Sequence, residues 1–177
     1  MFEPNLGKGQ YRATVLIAYH SAEAVARGAR SVKNVAVKLL SVGEAKNADV
    51  LSADAIIVGG PVYNANIAPP VQEFINRWPF EGAPLRDKIG AAFVSAGGIS
   101  AGEELTQMNI LHSMLIFGMI VVGGTEWRSA FGASAVTAKE PFRRTQDGKT
   151  VGDYFLKKAE ELGKRVAELA IKWKQVR

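Results

Sequence analysis

Residues 54–66, Asp-Ala-Ile-Ile-Val-Gly-Gly-Pro-Val-Tyr-Asn-Ala-Asn, constrain the fold more than any other stretch. Ala55-Ile56-Ile57-Val58 is a short, unbroken and largely β-branched run, the pattern of a strand buried on both faces of a parallel sheet. It leads into Gly59-Gly60-Pro61, expected as a turn in which the glycines let the backbone bend toward a bound group and Pro61 fixes the exit direction. A second run of the same kind, residues 89–94, ends in Ser95-Ala-Gly-Gly-Ile-Ser-Ala-Gly102. Two parallel strands therefore finish in loops poor in side chains. In open α/β sheets ligands sit outside the carboxyl ends of the strands, where strand order reverses, so these two loops are the candidate site.

Around them strands and helices alternate. Residues 13–19 and 35–40 read as strands, the second more polar and nearer an edge, with an alanine-rich helix over 22–30 between them. Asn47 or Asp49 can cap a brief helix that runs through Ala53. Pro69 and Pro70 open a helix to about Arg77, where first-turn amides need no partner. Gly102 and two glutamates open another over 103–117, the acids suiting the positive end of the helix dipole. Residues 119–123 make a fifth strand, with 133–137 a candidate continuation after a loop. The βαβαβαβαβα order implies one domain over residues 1–177, with a parallel sheet, right-handed crossovers and helices on both faces.

Composition removes several classes of function. The 177 residues are 47% hydrophobic, ample for one core, and contain no cysteine. Disulfides, thiolate metal sites, iron–sulfur ligation and a cysteine nucleophile are thereby excluded, which fits a cytoplasmic protein. A histidine-based zinc site would need both His20 and His112, far apart in differently patterned segments, together with carboxylates. No metal is expected. Residues 1–10 have no apolar core of a signal peptide, and the longest apolar run, 114–122, is too short to cross a bilayer. The net charge of +5 invites a nucleic-acid partner. Much of it, however, lies in the last helix, where Lys157, Lys158, Lys164, Arg165, Lys172 and Lys174 alternate with Glu160, Glu161 and Glu168 opposite an apolar stripe. That is the pattern of a solvated outer face. Lys139, Arg143 and Arg144 form a second basic cluster in a polar loop, suited to a charged ligand or another subunit.

The loops discriminate among doubly wound folds. No G-x-x-x-x-G-K-[ST] loop is present, and G-x-G-x-x-G does not follow the first strand, so a P-loop NTPase and a dinucleotide-binding domain lose support. Tyr19-His20-Ser21 stands where a phospho-receiver would carry clustered acids, and no G-x-S-x-G elbow occurs. A flavodoxin-like sheet remains, five parallel strands in order 2-1-3-4-5, whose pocket for flavin mononucleotide (FMN) uses the ends of the first, third and fourth strands.

With these loops in view, the chain resembles the flavodoxin-like NAD(P)H:quinone oxidoreductases, the WrbA-like proteins of the NADPH-dependent FMN reductase family. The likeness runs over about residues 14–137. It rests on Asp54-Ala-Ile-Ile-Val-Gly-Gly-Pro61 with Gln72-Glu-Phe-Ile75, on Lys88-Ile-Gly-Ala-Ala-Phe-Val-Ser-Ala-Gly-Gly98 with Gly102-Glu-Glu104, and on Phe117-Gly-Met-Ile-Val-Val122 and Phe131-Gly-Ala-Ser-Ala135. The order and spacing of these segments are more specific than any one of them. The resemblance implies that Pro61, Val62, Tyr63, Asn64 and Asn66 on one loop, and Ser95, Ala96, Gly97 and Gly98 on the other, flank the isoalloxazine ring. Flavin carries the hydride itself, so the protein has to hold the ring flat, leave one face open and donate backbone hydrogen bonds to its polar edge; no protein nucleophile is required. Tyr63 would pack on or beside the ring, and Asn64 and Asn66 would bond its carbonyl edge. Phe80 would contact substrate on the open face or anchor the preceding helix, and Trp78 is expected in the core.

Three departures from the family stand out. Its Thr-Arg-Phe-Gly-Asn loop reads Val62-Tyr63-Asn64-Ala65-Asn66 here, and its histidine before the fifth strand aligns with Ile116 or Phe117, leaving His112 a surface or core residue. The hydroxyl-rich loop that surrounds a flavin phosphate after the first strand is missing, since Tyr19-His20-Ser21 passes directly into Ala22-Glu23-Ala24-Val25. Either the anchor is lost or the natural chain carries further residues between Ser21 and Ala22, with His20 and Ser21 then the stub of that anchor. The function implied is FMN-dependent two-electron transfer from NAD(P)H to a quinone in a homo-oligomer, a dimer or tetramer, with no nucleic-acid or membrane partner. The alternative is a non-enzymatic flavodoxin-like electron-transfer or binding module.

Overall fold

The computed structural model describes residues 13–18, 22–137 and 151–176. Its strands are β1 (Ala13–Ala18), β2 (Val35–Leu40), β3 (Ala55–Tyr63), β4 (Asn66–Ile67), β5 (Ile89–Ala96), β6 (Ile120–Val121) and β7 (Ala133–Val136). Its α-helices are α1 (Glu23–Arg30), α2 (Asn47–Ser52), α3 (Pro69–Asn76), α4 (Glu103–Ile116) and α5 (Asp153–Val176). The parallel order is β2-β1-β3-β5-β6. Since β4 is only the returning arm of a hairpin on β3, this is the expected 2-1-3-4-5 sheet.

Alternation along each strand sends side chains to two cores. Leu16, Ile56, Val58, Ala92 and Val94 face α2, α3 and α4, where they meet Val50, Phe74, Ile75, Ile110 and Met114. Val15, Ala55, Ile57, Ala91 and Phe93 face α1 and α5, packing on Val25, Ala29, Leu162 and Val166. Each fully buried side chain of this size contributes about 1.5–3 kcal/mol. Trp78 lies in the first core, edge-on to Phe74 with ring centres 5.6 Å apart. Helix α2 starts after Lys46, and Asp49 reaches back to accept the Lys46 amide at 3.0 Å and the Lys38 ammonium at 3.0 Å. Those two bonds hold its carboxyl below the ordinary range. Among the described residues no helix is long and apolar enough to cross a membrane.

Three local features shape the site; the first and third depart from the expected elements, and the second is the expected continuation of the fifth strand after a loop. First, β3 does not turn at Gly59-Gly60-Pro61; it runs on to Tyr63. Both glycines are buried inside the sheet, where a Cβ on Gly59 would overlap the Phe93 ring and one on Gly60 would lie 2.7 Å from Val71. They make room for neighbouring side chains, not for a ligand. Second, the fifth strand is broken. β6 pairs with Ile89 and Gly90, β7 pairs with residues 93–96, and residues 122–132 loop out between them. Third, Lys158 is not on the solvated face of α5: it is 6% exposed, the one charged side chain among the described residues that is buried.

Helices α1 and α5 approach until their backbones touch. A Cβ on Gly28 would overlap the Glu160 carbonyl, and one on Gly163 would overlap the Val25 carbonyl. The Arg27–Glu160 ion pair at 2.8 Å beside this crossing is half exposed and contributes under about 1 kcal/mol. The missing side chains matter more than the pair. Gly163→Val is therefore expected to cost about 1–3 kcal/mol or more, read as a lowered urea midpoint at unchanged m-value. Gly152→Ala, whose Cβ meets open space, is the matched control. Equal midpoints for the two variants would show that the helices do not need this contact.

Candidate functional site

The site is built where β3 and β5 end together. Their parallel register runs from Ala55 opposite Ile89 to Pro61 opposite Ser95, which sets the two following loops at the same height on the sheet. Beyond Pro61 the chain folds back at once, with Val62 opposite Ile67 and Tyr63 opposite Asn66. The two linking residues, Asn64 and Ala65, have φ of 50° and 58°. Positive φ at both central positions gives a primed turn that follows the twist of the strands. Asn64 tolerates this geometry, whereas Ala65 is strained by it. The turn holds Tyr63 outward, 55% exposed.

This hairpin is fixed to the other loop. Gly102, the residue before α4, has φ 98°, and a Cβ there would come 2.5 Å from the Ala65 Cα. Asn66 Oδ1 accepts from its neighbour Ile67 N at 2.9 Å and from Asn109 Nδ2 of α4 at 3.0 Å. The Glu103 carboxylate accepts the Ala101 amide at 2.8 Å, and Thr106 Oγ1 donates to the Gly102 carbonyl at 2.8 Å. Ser100 adds another positive φ, 57°. Strain of this kind costs on the order of 1 kcal/mol or more per residue and persists where the surroundings over-determine it.

Between the hairpin and β7 the β5–α4 loop opens. Ser95 and Ala96 still belong to the strand, opposite Ala135 and Val136, and the Ala96 carbonyl accepts both Thr137 N and Thr137 Oγ1. Gly97 and Gly98 follow, and a Cβ on either would meet no atom of the described residues within 4 Å. The backbone there borders free space. A cleft of about 430 Å³ continues from this loop along Ile99, Ser100, the start of α4 and Ser134 of β7. A planar group that needs backbone donors and no side chain in its way fits such a border, which is the requirement FMN makes of a protein.

The expected site residues divide into three sets. Pro61, Val62, Tyr63, Asn64, Asn66, Ser95, Ala96, Gly97 and Gly98 come together at this end of the sheet. His20 and Ser21 lie outside the described residues, as do Lys139, Arg143 and Arg144. Phe80 is not brought to the site. It precedes β5 and packs edge-on against Phe117 at the far end of α4, ring centres 5.6 Å apart, beside the edge where β5 begins. The eight residues of β5 separate it from Gly97 by more than about 20 Å. Phe80 is largely exposed and meets Phe117 at the end of α4, away from Gly97 and Gly98. The contacts missed in the sequence are Ala65 with Gly102 and Asn66 with Asn109. Asn-x-Asn beside a strand end was the available signal, because asparagine tolerates αL.

The model of the NADPH-dependent FMN reductase family matches residues 43–133, from before α2 to the start of β7. A flavodoxin of Aquifex aeolicus is 34% identical over 155 residues, covering 83% of this chain and 77% of its own length. An NAD(P)H dehydrogenase (quinone) of Methylocella silvestris is 29% identical over 205 residues, covering 92% and 99%. Among solved structures, a WrbA-like flavodoxin from Agrobacterium tumefaciens superposes with a TM-score of 0.70 at 20% identity, covering 90% of this chain and 98% of that one, a likeness of fold. With more than half of its length matched by the family model and a flavodoxin relative aligned over most of both chains, the protein belongs to the NADPH-dependent FMN reductase family of flavodoxin-like, FMN-binding oxidoreductases.

Proposed function

We propose that the chain is an FMN-dependent NAD(P)H:quinone oxidoreductase whose flavin ring lies between the Tyr63 hairpin and the Gly97–Gly98 loop. The observation that carries this is that a Cβ on Gly97 or Gly98 would meet none of the described residues within 4 Å, at the end of β5 and beside the strand that leads to the exposed Tyr63. Bound FMN supplies the chemistry, accepting electrons as a pair and passing them on. The chain's own groups bind and orient. Gly97 and Gly98 bring backbone amides to the ring edge. Tyr63 covers one side, and Asn64 and the amide nitrogen of Asn66, whose oxygen is already engaged, donate to the carbonyl edge. Pro61, Val62, Ser95 and Ala96 form the floor, while His20 and Ser21 serve the phosphate end. NAD(P)H and the quinone then use the one open side in turn. The quinone-dehydrogenase name of the Methylocella relative supports a quinone as acceptor.

The homo-oligomer belongs to the same proposal. Helix α4 leaves Leu105, Leu115 and Ile116 exposed on its outer side, apolar surface that a second copy would cover. A monomer mass for the FMN-loaded protein in light scattering would remove this part of the proposal.

Gly97→Val places a branched side chain in the free space without touching protein. FMN affinity is expected to fall at least tenfold, about 1.4 kcal/mol, with thermal stability of the FMN-free protein unchanged. Unaltered FMN affinity in a folded variant would move the ring elsewhere.

Because donor and acceptor share one side, initial rates with NADPH or NADH and benzoquinone should give parallel double-reciprocal lines. Intersecting lines would require both substrates to bind at once. Slow or no turnover with tightly bound FMN would favour an electron carrier over a reductase.

A further inference from the structure

Residues 122–132, which interrupt the fifth strand, form a second cleft with the first turns of α5, of about 300 Å³. The segment is closed by Gly124 N to the Ser129 carbonyl at 2.7 Å and Gly132 N to the same carbonyl at 2.9 Å. Lys158 points into this cleft from its buried side. Its Nζ donates to Ser134 Oγ at 3.3 Å and lies 5.6 and 5.7 Å from the centres of the Tyr154 and Phe155 rings. Arg128 approaches the same Tyr154 ring, 5.9 Å from its centre, and also stacks on Trp127 at 5.6 Å.

The nearby carboxylates are already engaged. Glu126 pairs with Arg128 at 3.0 Å, and Glu161 meets Lys157 at 3.9 Å and Thr125 Oγ1 at 3.1 Å. No ion pair of Lys158 is formed among the described residues. Burial pushes the Lys158 ammonium below its ordinary pKa, opposed by Glu126, aided by the weaker repulsion from Arg128 and opposed again by Glu104. A buried ammonium with one neutral hydrogen-bond partner is costly, and an apolar chain of equal length would pack between the same rings without that cost. The two ring faces and the Ser134 hydroxyl offset part of that cost and leave the ammonium without a carboxylate of its own among the described residues. Two cations that converge on one ring, Lys158 buried and Arg128 half exposed, make a local positive potential suited to an anion.

The position of the cleft says which anion. Ser134 lies opposite Val94 in the sheet and also lines the cleft that leads to the Gly97–Gly98 loop. From Val94 to Gly97 is three residues along a strand, about 10 Å. A nucleotide whose nicotinamide lies at the flavin can reach that far with its phosphates. The geometry points to a phosphate subsite formed by Lys158 and Arg128, with Ser134 Oγ as a neutral donor, that holds a phosphate of the nicotinamide nucleotide.

This assignment rests on the ring cradle proposed above, and the test separates the two. For the FMN-loaded protein, Lys158→Met is expected to raise the KM for NADPH tenfold or more, with kcat and FMN content within twofold of the parent. Arg128→Gln, at an exposed position that the fold does not need, should act in the same direction. A rise for NADPH alone identifies the 2′-phosphate as the group held, and an equal rise for NADPH and NADH identifies the diphosphate bridge. Unchanged KM values for both nucleotides in both variants would overturn the subsite. If the parent turns over neither nucleotide, the reductase proposal fails instead, and inorganic phosphate becomes the probe. It should raise the melting temperature of the parent and not of Lys158→Met, whereas equal shifts would overturn the subsite.

A pH series gives an independent readout. With the folded pKa of Lys158 below the ordinary 10.5, the unfolded chain binds the proton more tightly, so stability should rise as pH climbs through the folded value toward 10.5. Added phosphate should flatten that rise in the parent by pairing with the ammonium, and Lys158→Met should lack it. The charged or titratable groups facing Lys158 are Glu126 and Arg128 of the insertion, Glu104 of α4, and Tyr154, Lys157 and Glu161 of α5. A rise that persists in Lys158→Met would assign it to one of these and count against the subsite.

Discussion

The parallel pairing of β3 with β5, seven residues from Ala55 opposite Ile89 to Pro61 opposite Ser95, positions both walls of the site. A slip of one residue would turn Ile56 and Val58, if β3 moved, or Ala92 and Val94, if β5 moved, from the α3–α4 core to the α1–α5 core. The two cores hold different volumes, so the register has no neighbour close in energy. Gly59 and Gly60 serve this pairing. By leaving space for the Phe93 ring and for Val71, they let two strands buried on both faces lie beside bulky neighbours. The exact pairing carries the strand ends to one height, and the hairpin and the glycine loop face each other as a consequence.

Three of the six positive-φ residues other than glycine among the described residues lie where these strands end. Asn64, Ala65, Ser100 and Gly102 all have positive φ, and all lie on the two facing loops. The Ala65–Gly102 contact and the Asn66–Asn109 bond make the loops one unit, so neither can relax without the other. An asparagine that seemed free to bond a ligand has its oxygen committed to this lock. Tyr63 is held by backbone geometry instead of by packing, which explains how a residue more than half exposed can have a defined direction.

The buried strands are legible in the sequence because continuous β-branched runs leave few alternatives, and the helices because their caps and apolar spacing agree. The ends of β3 and β5 are harder to see. A Gly-Gly-Pro tripeptide looks like a turn when the chain is read alone, since the Phe93 ring that needs the first glycine is more than thirty residues away. The primed turn at Asn64-Ala65 lacks the Asn-Gly signature, because the lock with Gly102 holds an alanine where glycine is usual. Lys158 belongs to a helix whose charges alternate as on a solvated face. Its burial comes from β7 and residues 122–132, which no periodicity within α5 reports. Phe80 fails for the opposite reason: aromatic character suggested a ligand, and the partner it found was Phe117.

Strand order finally sets the order of the chemistry across the molecule. From β1 through β3 and β5 to β7 is three strand spacings, about 14 Å at 4.8 Å each. Ala22 precedes α1 without a side-chain cap hydrogen bond. On the proposed reading the β3 and β5 ends would hold the ring, while the β7 end carries Ser134 with Lys158 behind it, positive charge that a second nucleotide would use. An unbroken strand at that edge would pair evenly with β5 and leave no room for residues 122–132, so the interruption places Arg128 over the Tyr154 ring beside Lys158.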